Sequence, residues 1–120
     1  MSDRPIRFTV EFNITLGKFD AFERAARDMT RETQPEPGTL VYDWYLSRDH
    51  HRARLLEEYV DADAVVAHLE GRVVTTLVPK LLESAQLTRF EVYGDPGRRG
   101  SEILSRLGAE LFPDWHAIDR

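Results

Sequence analysis

Hydrophobic and polar residues alternate at the start of the chain and then change to a helical spacing. From Ile6 to Ile14 every second residue is aliphatic or aromatic, which predicts a strand with one buried face. From Phe19 to Thr33 the apolar residues recur every three or four positions, which predicts an amphipathic helix of about four turns. The first third of the chain therefore predicts a β-α unit.

Two segments rich in aromatic and aliphatic residues follow and predict a β-hairpin. Pro35 and the pair Pro37-Gly38 end the first helix, because proline cannot donate to it and glycine accepts turn geometry. Residues 39–47 and 53–60 then have strand composition and are separated by a polar turn.

The second half of the chain predicts a divided helix and a last strand. Asp61 is a suitable N-cap for a helix that Gly71 closes, and a second helical stretch follows. Pro79 lies inside that stretch and predicts a kink or break near Val78. Residues 86–93 form the last predicted strand. The order β-α-β-β-α-β is typical of an α+β, ferredoxin-like fold with an antiparallel sheet.

Length and composition indicate one domain over residues 1–120. We expect its core to span about residues 6–94 and residues 95–120 to form a C-terminal extension that packs on the core or on a partner subunit. The expected anchors of that extension are Ile103, Leu107, Leu111, Phe112 and Trp115.

Charge and cysteine content exclude several classes of function. Sixteen basic and 21 acidic residues give a net charge of −5, which argues against nucleic acid as a partner. The chain has no cysteine, so disulfides, thiol nucleophiles and thiolate metal sites are excluded. His50-His51 sits in a turn where the two rings diverge, so no metal site is predicted. Without a long apolar run or a secretory signal, we expect a cytoplasmic protein with no membrane partner.

Both phases of the predicted hairpin are apolar or aromatic, which is typical of a sheet covered on both faces. The predicted helices suffice for one face only, so the other is expected to pack against a second copy in a homodimer. The two phases are Leu40, Tyr42, Trp44 and Leu46 on one side and Val41 and Tyr45 on the other.

His68 is the first candidate for chemistry. It shares a helical side with Ala64 and Val65, so its ring is expected to face the sheet. A neutral imidazole there can accept a proton from a phenol or quinol near physiological pH. The alternative is a half-buried histidine that packs and hydrogen-bonds a neighbour.

Other candidates lie on the predicted strands. Tyr59, Trp44, Tyr42 and Tyr45 can form an aromatic wall for a flat substrate, or else belong to the core and the dimer interface. Asn13 can hold a developing oxyanion, or else simply end the first strand before a turn.

These segments together resemble the antibiotic biosynthesis monooxygenase family over roughly residues 6–94. The resemblance implies a dimeric α+β barrel. It also implies one of several activities, since the family includes quinol and anthrone monooxygenases without metal or flavin, haem-degrading enzymes and members with no assigned activity. The residues that carry it are Gly17-Lys18, Phe22, Glu36-Pro37-Gly38-Thr39-Leu40, Glu57-Glu58-Tyr59, Asp63-Ala64 and Ala67-His68-Leu69.

The chain departs from the family pattern at three places. Many small members carry Trp where this chain has Tyr59, and often a Pro-His pair where it has Arg72-Val73. The actinorhodin-type monooxygenases place an Asn on the third strand, where the nearest equivalent in this chain is Leu55. The resemblance implies a cofactor-independent monooxygenase of a small aromatic or quinone-like metabolite, with His68 as base and Asn13 or Tyr59 as donor. The alternatives are a non-catalytic dimeric module that binds a small molecule or acts in stress, and a haem-degrading enzyme.

Overall fold

The alternating residues Ile6–Ile14 form strand β1, which lies at the centre of a five-stranded sheet. The structure is a computed structural model that describes residues 4–119. A π-helical turn, Val73–Leu77, lies between the second and third helices. The other elements are α1 (Phe19–Thr33), β2 (Thr39–Leu46), β3 (Arg52–Tyr59), α2 (Ala62–Glu70), α3 (Val78–Leu81), β4 (Ala85–Tyr93), α4 (Gly97–Arg106) and β5 (Glu110–Phe112).

The strand order β2-β3-β1-β4-β5 confirms the ferredoxin-like prediction. The pairs β2/β3, β3/β1 and β1/β4 are antiparallel, and β5 adds to the edge of β4 in parallel. Within one chain the sheet is open, so closure into a barrel requires a second copy.

The sheet has one face that contributes to the core and one face that carries charges. The core face of β1 presents Phe8, Val10 and Phe12, all buried, to the helices. Phe22 of α1 packs against Phe12 with ring centroids 5.7 Å apart. Because successive strand residues point to opposite faces, the intervening residues lie on the other side.

The break predicted near Val78 occurs as a change of helix type. Residues Val73–Leu77 form the π-helical turn, and α3 then begins at Val78 with Pro79 in its first turn. Proline is tolerated there because the first N–H groups of a helix lack intrahelical partners.

The C-terminal extension folds onto its own chain. Helix α4 packs on α2, and β5 pairs with β4 through Glu91 and Glu110, Val92 and Leu111, and Tyr93 and Phe112. Trp115 is 89% exposed, so it makes no anchor within the chain. No helix within residues 4–119 has the length and hydrophobicity to cross a bilayer.

Candidate active site

An apolar cavity of about 130 Å³ lies between the helices and the core face of the sheet. All four long strands contribute to its wall, together with α1, α2 and the divided helix. Its polar side chains are Tyr42, Glu57 and His68. The apolar lining consists of Phe8, Val10, Phe12, Met29, Leu55, Leu69, Val74, Val78, Leu82, Leu87, Phe90 and Leu107.

His68 faces this cavity from α2. The Asp61 side chain caps the helix by accepting a hydrogen bond from the Ala64 backbone N–H at 2.9 Å. One face of the helix, including Val65, His68 and Leu69, is thereby buried. The imidazole is only 2% exposed. The ring of His68 thus faces the sheet, as its position on α2 predicted.

Glu36, in the turn before β2, holds the imidazole at its Nδ1 atom. The carboxylate oxygens lie 2.8 and 3.1 Å from Nδ1, and the Thr39 hydroxyl donates to Oε1 at 2.7 Å. Burial raises the pKa of Glu36, but the hydrogen bonds from His68 and Thr39 outweigh it and leave the pKa below its ordinary value. An ionised Glu36 fixes a proton on Nδ1 and leaves Nε2 as the free ring nitrogen.

Glu57 places a second carboxyl group on the cavity side of His68. It projects from the buried phase of β3 and is 7% exposed. Its Oε1 atom accepts a hydrogen bond from the Tyr59 hydroxyl and lies 3.7 Å from Nε2 of His68. Burial raises the pKa of Glu57, although the His68 charge and the Tyr59 hydrogen bond oppose that shift. The site therefore favours a protonated Glu57 beside an ionised Glu36.

Two tyrosine rings flank the imidazole. The centroids of Tyr42 and Tyr59 lie 5.6 and 5.3 Å from that of His68. Burial raises the pKa of both phenols, and any ionisation of the nearby Glu57 carboxyl group would raise it further. Both hydroxyls therefore stay protonated near neutral pH and can act only as neutral donors or acceptors.

The structure brings three of the predicted site residues together and separates the other three. His68, Tyr59 and Tyr42 form one cluster. Trp44 shares the core face but packs in the core, since its Nε1 atom donates to the Thr30 hydroxyl at 2.8 Å and its ring lies against Phe12 and Phe22.

Asn13 and Tyr45 lie on the opposite face of the sheet. Asn13 is exposed and pairs with Arg52 of β3, while Tyr45 pairs with Arg54 and is 54% exposed. Side chains alternate along a strand, so neither residue can reach the core face, to which its neighbours Phe12 and Trp44 point.

Sequence reasoning missed Glu36 and Glu57. Glu57 had a detectable signal, because it occupies the same strand phase as Ala53, Leu55 and Tyr59, and a carboxylate among buried positions is unusual. Glu36 had none, since it lies in a turn 32 residues before His68. Within residues 4–119 no group of three or more His, Asp or Glu side chains has the arrangement of a metal site.

A ferredoxin-like sheet with helices over one face, and with His68 and Glu57 in the wall of the apolar cavity between them, defines a class of small α+β proteins. The model of the antibiotic biosynthesis monooxygenase family matches residues 5–80, and the chain belongs to this family. Among curated proteins, no match was found.

Several solved structures share the fold. MupZ from Pseudomonas fluorescens is 22% identical, covers 98% of this chain and 95% of its own, and superposes with a TM-score of 0.79. A protein of Nitrosomonas europaea described as a candidate antibiotic biosynthesis monooxygenase is 23% identical over 79% of this chain and 93% of its own, with a TM-score of 0.69. A conserved protein of Methanosarcina mazei is 21% identical over 75% and 89%, with a TM-score of 0.66. At these identities the likeness concerns the fold alone.

Proposed function

We propose that this protein is a cofactor-independent monooxygenase of a small aromatic molecule that carries an ionisable hydroxyl group or an acidic CH₂ group. The observation that carries the proposal is the buried pair of His68 and Glu36, whose free nitrogen faces an apolar cavity. A base with an orienting carboxylate is the arrangement that proton abstraction requires.

The residues divide the chemistry among them. Nε2 of His68 takes the proton, and Glu36 stabilises the imidazolium that forms. Protonated Glu57, or the hydroxyl of Tyr42, donates a hydrogen bond to the oxygen on which negative charge develops. The apolar wall excludes water, so the anion is not reprotonated by solvent.

The electron-rich anion then reacts with oxygen. For an anthrone-like CH₂ group, the carbanion's electron pair forms a C–O bond to O₂, and the imidazolium returns its proton to the resulting peroxide. Loss of water, which takes the remaining C–H hydrogen, leaves a carbonyl group. One oxygen atom enters the product and the other leaves as water, so the substrate is oxidised by two electron pairs and O₂ is fully reduced.

Substrate analogues provide the test of this proposal. Oxygen uptake with a panel of anthrones and hydroquinones should show turnover, whereas the O-methylated hydroquinones, which bear no ionisable hydroxyl, should react at least tenfold more slowly than the free hydroquinones. Labelled O₂ should place one labelled atom in the product of an anthrone. Equal rates for the free and methylated compounds would contradict the proposal. Binding of the panel without oxygen uptake by any member would favour the non-catalytic small-molecule-binding role instead.

We also propose that the charged face of the sheet forms a homodimer, as members of this family commonly do. No helix among residues 4–119 covers this face, and Tyr45, Leu56 and Tyr93 are exposed on it. Around them, ion pairs join neighbouring side chains, including Arg7 to Glu58 at 2.7 Å. Polar side chains that are already paired within one chain can enter an interface at lower cost than unpaired ones.

Light scattering coupled to size exclusion measures the dimer directly. The wild type should elute at twice 13.9 kDa, and Leu56→Glu should shift it toward the monomer, since an unpaired carboxylate would be buried between the sheets. Leu16→Glu is the matched control, because Leu16 is 86% exposed and lies outside the strands. A wild-type particle near 13.9 kDa at working concentration would contradict the dimer. The cytoplasmic location stays a prediction.

A further inference from the structure

The cavity has a polar end near β2 and β3 and an open end near β4, both on the core face of the sheet. Tyr42 on β2, Glu57 on β3 and His68 on α2 form the polar end. The strand order then leads across β1 to β4, where Leu87 and Phe90 form the far wall. The long axis of the cavity therefore crosses the strands.

The position of the open end follows from exposure. Most of the apolar lining is buried, but Leu82, Leu87 and Leu107 are 39%, 39% and 40% exposed. These three leucines come from the end of α3, from β4 and from the end of α4. Together, these three leucines form the mouth of the cavity.

A β-bulge places Leu87 at the mouth. Arg89 pairs with Glu11, but Leu87 rather than Thr88 pairs with Phe12. The extra residue changes the alternation of β4, so that Leu87 joins Phe12 on the core face.

The length and volume of the cavity determine which ligands fit inside it and which must extend through the mouth. Strands β3 and β4 are separated by two strand spacings, about 10 Å, which is the span available to a ligand from Glu57 to the mouth. The cavity of about 130 Å³ is smaller than the roughly 300 Å³ from which drug-sized ligand sites begin. A ligand of more than two or three fused rings must therefore protrude between the three leucines.

The lining also limits the charge of the ligand. Neither Lys nor Arg is among the residues that border the cavity, whereas Glu57 is. An anionic carboxylate or phosphate would be buried without a counter-charge, at a large cost in free energy. The cavity is suited to a neutral, elongated and mostly apolar molecule.

Leu107 is held in place from its N-terminal side by α4. Leu104, one turn earlier, is fully buried. α4 packs on α2 at Gly100, where a Cβ atom would lie 3.5 Å from Cγ1 of Val65, an ordinary van der Waals contact. The Arg99 guanidinium is 3.0 Å from the Glu70 carboxylate and adds an ion pair between the same two helices.

The following turn holds Leu107 from the other side. Gly108 adopts a φ of 87°, which ends the helix in the left-handed conformation that glycine allows. The Ala109 N–H returns to the Leu104 carbonyl at 3.0 Å, and β5 then pairs with β4 from Glu110 onward. The leucine is thus fixed over the mouth between a docked helix and a paired strand.

We propose that Leu107 is the specificity-determining residue of the mouth and sets the length of the neutral apolar ligand that the cavity accepts. The proposal rests on the proposed function only in taking this cavity as the substrate site. It assigns to the C-terminal extension, which lies beyond the matched residues 5–80, the selection of substrates by size.

Two neutral fluorescent probes of different length test it without any turnover. 1-Naphthol fits within the span from Glu57 to the mouth, whereas N-phenyl-1-naphthylamine is one ring longer and must pass between the leucines. Leu107→Trp should weaken binding of the longer probe at least tenfold, about the value of a methylene-sized change in an apolar pocket, and change 1-naphthol binding much less. Leu107→Ala should strengthen binding of the longer probe.

Phe112 supplies the matched control. It lies in the same extension and is 39% exposed, but it packs on Tyr93 and does not border the cavity. Phe112→Trp and Phe112→Ala should leave both affinities unchanged, and circular dichroism should show every variant folded. If the two Leu107 variants have the same affinity as the wild type for each probe, or if none of the three proteins binds either probe, the proposal is overturned. His68→Ala should keep the size dependence, so loss of catalysis and loss of size selection are separable.

Discussion

His68→Ala is expected to lower the turnover of a phenolic or anthrone substrate by about 10²- to 10⁴-fold, the usual contribution of a positioned general base. The variant removes Nε2, which faces the cavity and lies 3.7 Å from the Glu57 carboxyl group, beyond hydrogen-bond distance. Burial raises the pKa of Glu57, which disfavours the ionised carboxylate that could replace the imidazole as base. Oxygen uptake at saturating and limiting substrate gives kcat and kcat/KM separately, and both should fall, since the base acts in the transition state.

The same substitution affects stability, so the controls must separate the two effects. Removing one partner of a buried ionic pair costs about 3–5 kcal/mol, an upper bound here because Glu36 is partly exposed. His68→Gln keeps the volume and a polar contact, and should lose activity with a smaller loss of stability. His116→Ala, in the exposed C-terminal segment, is the matched histidine control and should behave as wild type. Wild-type rates in folded His68→Gln would exclude His68 as the base.

Glu57→Gln is expected to make the protein more stable than the wild type at neutral and alkaline pH, and no more stable at low pH. Glu57 has a pKa raised above its ordinary value of 4.5. The native state thus holds this proton to higher pH than the unfolded chain does. Its contribution to stability is complete below pH 4.5 and declines as the pH rises through the folded pKa. Neutral glutamine removes that decline, and the gain at high pH should be about 1.4 kcal/mol for each unit by which the folded pKa of Glu57 exceeds 4.5.

Urea unfolding at fixed ionic strength measures the difference in the free energy of unfolding between the wild type and Glu57→Gln. The measurement is repeated at intervals of about one pH unit from about pH 4 to about pH 9. Glu58→Gln is the matched control, since the neighbouring Glu58 lies on the charged face and pairs with Arg7. Its stability difference from wild type should not grow with pH above 4.5. Parallel curves for the wild type and Glu57→Gln would show that Glu57 is ionised in the folded protein at no net cost. The glutamine amide oxygen can still accept the hydrogen bond from the Tyr59 hydroxyl. Its N–H group is a weaker acid than a carboxylic O–H group, so it should stabilise the developing oxyanion less and turnover should also fall.

Patterns that repeat over many residues predicted the fold well. Nine alternating residues defined β1, and fifteen residues at helical spacing defined α1. A pattern of that length is compatible with only one type of element and one buried face. Strand β5 has three residues, too few for a period to be visible, and it forms because β4 offers an open edge.

The site was predictable only where one residue and its own element decided its direction. His68 faces the sheet because α2 has one apolar side, and that was visible in the sequence. Asn13 and Tyr45 lie on the face of the sheet opposite His68, which the sequence could not show for lack of a rule that links the phase of one strand to that of another. The contact of Glu36 with His68 depends on how a turn approaches a helix, which no local pattern encodes.

The π-helical turn Val73–Leu77 holds about one residue more than a regular helical turn for nearly the same rotation about the axis. Deleting one residue there would leave a regular α-helical turn, so Val78 and Leu82 would keep their direction toward the cavity. The cavity wall would change only at the turn itself, where Val74 borders it, while every strand kept its place. Single-codon insertions and deletions in this turn are thus an evolutionary route by which related genes can alter one part of the cavity wall on one unchanged sheet.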